Sequence, residues 1–87
     1  MFLFLPEEIV TMVDTVFIYK AWESRDLQRI SEECELAAIK AREGGGVITL
    51  DIYRLGDSVH PYYSHNQIRD FFRSLIPTEI DIEWNEG

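Results

Sequence analysis

The chain reads as an α+β domain spanning residues 1–87, with two N-terminal helices and one later helix packed on a small sheet of two to four strands. Three observations carry that expectation. Apolar residues recur at spacings of three and four before residue 43 and again over 64–76. They alternate with polar ones at 47–55 and 78–84, and Gly44-Gly45-Gly46 separates a helical half from a mixed half. With 46% apolar side chains, 87 residues suffice for one core, and 28% charged residues argue against a disordered tail.

The first helix is expected in "PEEIVTMVDTVFIYKAW", where Pro6 suits the first helical position and Glu7 and Glu8 suit the positive end of the helix dipole. Ile9, Met12, Val13, Val16 and Phe17 form its expected buried face. The β-branched and aromatic stretch from Thr15 to Tyr19 would also suit a strand, but the spacing favours the helix.

The second helix runs to about Glu43, with Ser24 as the expected N-cap and Asp26 in its first turn. At about 100° per residue, Leu27, Ile30, Cys34, Ala37, Ala38 and Ala41 share one narrow arc, which predicts a core face that lets another element approach closely. Leu36 and Ile39 fall on the opposite side. They are covered by the first helix or the sheet, or they are a surface for a partner. The three glycines then supply the left-handed backbone that ends a helix.

In "VITLDIYRL", residues 47–55, Ile48, Leu50 and Ile52 alternate with Thr49, Asp51 and Tyr53, as in a strand with one dry face. In "TEIDIEW", residues 78–84, Ile80, Ile82 and Trp84 point inward and Glu79, Asp81 and Glu83 outward. Between the two strands, Ser64 and Gln67 form a capping box, and Ile68, Phe71, Phe72, Leu75 and Ile76 follow the helical template until Pro77. If the strands are neighbours, the helix between them is a parallel crossover. The turn composition at 55–58 suggests a short return strand at 59–63, and residues 2–5 are a further candidate strand.

Sixteen acidic against eight basic side chains give a net charge of −8, spread evenly over both halves. Such a surface is repelled by a phosphate backbone, so direct nucleic-acid binding is not expected. Cys34 is the single cysteine, which excludes an intramolecular disulfide and fits a reducing, cytoplasmic setting. The opening "MFLFLPEE" lacks a basic flank and breaks off after five apolar residues. No segment approaches the roughly 18 apolar residues of a membrane span. A soluble, unprocessed protein with no membrane contact is expected.

Candidate chemistry concentrates in "YRLGDSVHPYYSHNQ", residues 53–67. A small enzyme would use Asp57, Ser58 and His60 there, and His60 with His65 sketches a two-histidine metal site. No nucleophile elbow surrounds Ser58, however, and the spacing dictates no third metal ligand. The triple glycine follows a helix and opens a strand, the reverse of a phosphate loop. Cys34 lies on the core face with no base beside it. No catalytic residue, cofactor or metal is therefore assigned.

Two features point outward instead. Glu79, Asp81 and Glu83 stand about 6.6 Å apart along one strand face, a regular line of negative charge. Leu36 and Ile39, with Tyr62 and Tyr63 as contributors, make a second candidate contact surface. The expected function is a non-enzymatic protein-interaction module with a basic partner, in its sharpest form a stoichiometric inhibitor or nucleic-acid mimic. The alternatives are the small enzyme and a homodimer or higher homo-oligomer joined through Leu36 and Ile39.

Overall fold

Two hydrogen bonds set where the helix at Val16 begins. Asp14 Oδ1 accepts from Val16 N at 3.0 Å, and Thr15 O accepts from Ile18 N at 3.0 Å. The computed structural model describes residues 13–56 and 63–86. Its elements are α1 (Val16–Ser24), α2 (Leu27–Glu43), β1 (Val47–Asp51), α3 (Ile52–Gly56), α4 (His65–Leu75) and β2 (Asp81–Asn85). The fold is α+β, with helices packed on a two-stranded sheet. The candidate strand at 2–5, most of the one at 59–63 and the helical reading of 6–12 lie outside the described residues.

Within them, α1 departs from expectation in two ways. It starts at Val16, so residues 13–15 are not helical. Its buried side is Ile18, Tyr19, Ala21 and Trp22, while Phe17 is 51% exposed. Tyr19 and Trp22 are drawn inward because each reaches a distant main-chain group. Asp51 N donates to the Tyr19 hydroxyl at 2.8 Å, and Trp22 Nε1 donates to Leu55 O at 2.6 Å. Helical spacing within α1 carries no trace of either partner.

At the α1–α2 turn Arg25 takes a left-handed conformation, φ 61°, and Asp26 is the N-cap of α2, its Oδ1 accepting from Arg29 N at 3.3 Å. Ser24, the expected cap, instead donates its hydroxyl back to Ala21 O at 2.6 Å, closing α1. The expected core arc of α2 holds at Ile30, Cys34, Ala37, Ala38 and Ala41, all buried. Leu27 leaves it: at the helix start, beside the turn, it is 59% exposed. Gly45 and Gly46, at φ 113° and 82°, then carry the chain from α2 into β1.

β1 and β2 are parallel neighbours, with Val47 opposite Asp81 and Asp51 opposite Asn85. Parallel strands need a long crossover, which α3 and α4 provide. The strand expected over 47–55 ends at Asp51, and residues 52–56 are helical. Ile52 and Leu55 explain the change. Three apart, they would point to opposite faces of a strand, whereas one helical turn puts both on the same side, and both are fully buried. Asp51 starts that turn, its Oδ1 accepting from Tyr53 N at 3.0 Å and Arg54 N at 3.2 Å.

α4 follows its sequence pattern closely. Gln67 N donates to Ser64 Oγ at 3.1 Å and Ser64 N to Gln67 Oε1 at 2.8 Å, completing the capping box. Ile68, Phe72 and Ile76 are buried, and Phe71 and Leu75 pack against the same core. That core is one cluster joining α1, α2, β1, α3 and α4. No helix among the described residues is long and apolar enough to cross a membrane.

Candidate functional site

The sheet has two unlike faces. Inward, Ile48 and Leu50 of β1 are fully buried, while Ile82 and Trp84 of β2 are only half-buried, Trp84 lying 6.4 Å from the Phe72 ring. Outward, Val47, Thr49, Asp81, Glu83 and Asn85 are exposed. β2 is therefore the less covered strand.

The acidic line expected over 79–83 is divided by the fold. Asp81 and Glu83 share the outer face of β2, but Glu79 precedes the strand in a turn. Its Oε2 accepts from Arg42 Nη2 at 2.7 Å and from Arg42 Nε at 3.0 Å, and this pairing holds its carboxyl below the ordinary value of 4.5. Glu83 remains on the open face, with Thr49 Oγ1 at 3.5 Å from its Oε1. A shallow, open depression of about 510 Å³ lies beside it, lined by Thr49, Glu83, Trp84, Asn85 and Glu86.

The main chain of β2 is arranged by its first bond to β1, in which Asp81 N donates to Gly46 O at 2.8 Å. Because main-chain groups alternate in direction along a strand, those of Asp81, Glu83 and Asn85 face β1 and those of Ile82 and Trp84 face the outer edge. Arg73 closes the near end of that edge. Its Nη2 donates to Ile80 O at 2.8 Å, Pro77 O at 2.7 Å and Ile76 O at 3.0 Å, holding the α4–β2 turn. At the far end Arg69 Nη2 lies 3.1 Å from Glu86 Oε1.

Leu36 and Ile39 lie on a different element. They are 54% and 45% exposed on the outer side of α2, so neither α1 nor the sheet covers them. Tyr63 is 52% exposed, and Tyr62 lies outside the described residues.

Of the loop offered for catalysis, Asp57, Ser58 and His60 lie outside the described residues. Ser64 is engaged as the α4 cap. His65 packs edge-on against Tyr53, with ring centroids 5.1 Å apart, and a Cβ on Gly56 would come within 3.2 Å of its ring, so glycine makes room for it. Cys34 is fully buried, and burial pushes its thiol up to about 12, with the Glu33 carboxylate adding to the shift. Such a thiol is protonated at neutral pH and a poor nucleophile.

Three residues with structural duties were not singled out by sequence reasoning: Tyr19, Trp22 and Arg73. The available signals were weak. Tyr and Trp often carry a polar tip into a core, and Arg73 is a base in the last turn of α4 just ahead of Pro77. No protein family, curated protein or solved structure matches the chain.

Proposed function

We propose that this protein is a non-enzymatic, acidic interaction module that docks on a basic surface of another protein, in its sharpest form a stoichiometric inhibitor that imitates a phosphate backbone. The observation that supports this reading best is the uncovered outer face of the β1–β2 pair. Parallel strands are usually covered on both faces. Here Val47, Thr49, Asp81, Glu83 and Asn85 stand exposed, and two of the five are carboxylates. A net charge of −8 would steer such a face toward a cationic partner and disfavour other acidic surfaces.

The test is affinity capture from an extract of the source organism, followed by association kinetics with the captured basic protein. Raising the salt should release it. The double variant Asp81→Lys/Glu83→Lys should associate about tenfold more slowly or worse at low salt. Unchanged kinetics would remove this face from the function.

A second reading is favoured by the exposure of Leu36 and Ile39, which suits a homo-oligomer joined through α2. Sedimentation over micromolar concentrations tests it: a monomer throughout counts against it.

A further inference from the structure

The outer edge of β2 offers a mode of recognition that charge alone does not. The N–H and C=O groups of Ile82 and Trp84 face that edge, and no described residue pairs with them. The open stretch is bounded by Arg73 on Ile80 O and by the Arg69–Glu86 pair. The side chains beside it differ by face: Asp81 and Glu83 are exposed outward, and Ile82 and Trp84 are half-buried inward.

We infer that β2 takes up an extended segment of a second protein as an added strand. In that segment, lysine or arginine at alternate positions meets Asp81 and Glu83, and apolar residues between them extend the cover over Ile82 and Trp84. The inference rests on the reading of the protein as an acidic module and adds main-chain pairing to it. A second copy of β2 does not suit this edge. Antiparallel pairing of two such strands about Ile82 would bring Asp81 of each copy against Glu83 of the other, and pairing about Glu83 would bring Glu83 against itself, like-charge contacts that oppose association.

The test uses the full 87-residue protein and a short synthetic peptide of alternating lysine and valine. Two changes probe the main chain. One is the same peptide N-methylated at the residues facing β2. The other is Ile82→Pro, which deletes an N–H directed at the free edge and leaves the β1 ladder intact. The peptide should bind at low salt, each change should weaken it about tenfold, and amide exchange at Ile82 and Trp84 should slow in the complex. If Ile82→Pro does not fold, the methylated peptide and the exchange rates decide on the unaltered protein.

Equal binding of the methylated peptide, with the two amides unprotected, overturns strand addition and leaves the charge reading standing. Failure of the peptide to bind while polylysine binds in a salt-sensitive way does the same. If polylysine fails as well, both readings fall.

Discussion

Trp22 of α1 donates its indole N–H to the carbonyl oxygen of Leu55, 33 residues away, across 2.6 Å of buried space. Beside it the Tyr19 hydroxyl accepts from Asp51 N at 2.8 Å, and the Arg54 guanidinium lies 4.1 Å from the Tyr19 ring centroid. One turn of α1 thus holds the point where β1 becomes α3, the junction that limits β1 to five residues.

Trp22→Phe keeps most of the ring volume and removes the donor, leaving Leu55 O without it. Urea denaturation should show a loss of about 1–3 kcal/mol, the range for a buried polar group deprived of its partner. A change below a few tenths would mean that the bond carries no net stability.

The two candidate caps at the start of α2 are separable. Asp26→Ala should destabilise by about 1 kcal/mol, because it deletes the acceptor for Arg29 N. Ser24→Ala should act through the end of α1, where its hydroxyl donates to Ala21 O, and through the turn, where it accepts from Asp26 N at 3.3 Å. Amide exchange distinguishes them: the Arg29 amide is released by the first variant and not directly by the second.

Cys34 should resist modification in the folded protein. Its thiol is raised from 9.0 to about 12 by burial, so the fold favours the protonated form. That contribution is complete below pH 9 and is lost as pH rises toward 12, with a slope of at most about 1.4 kcal/mol per pH unit. Alkylation by iodoacetamide at pH 8 should therefore be slow in buffer and fast in denaturant. Comparable rates in both would contradict burial of the thiol.

Arg73 holds three carbonyls with one guanidinium nitrogen. Arg73→Leu should cost about 1.5–3 kcal/mol, the scale of hydrogen bonds to a charged group, and accelerate amide exchange in β2. Arg73→Lys should restore only part of it, since the shorter, flexible lysine stem must carry its ammonium to the place of Nη2. Full rescue by lysine would reduce the role of Arg73 to its charge.

Where a pattern is local and its repeat long, sequence and structure agree. The capping box and the apolar template of α4 need only neighbours three and four residues away, and the alanine arc of α2 is a matter of period alone. The half-buried face of β2 and the surplus of acid were equally legible. The candidate site was legible in part: Asp81 and Glu83 share a face as their spacing requires, while Glu79 is drawn aside by Arg42, 37 residues distant.

By itself the sequence determined the α+β class and an acidic exterior, because side-chain period and net charge are properties of the chain before it folds. Only the tertiary structure decided which side of α1 turns inward, where β1 stops and that β1 and β2 are parallel neighbours. Those outcomes depend on contacts between residues more than thirty positions apart, the Trp22 and Tyr19 hydrogen bonds and the pairing of 47–51 with 81–85. Periodicity within one element holds no information about such partners.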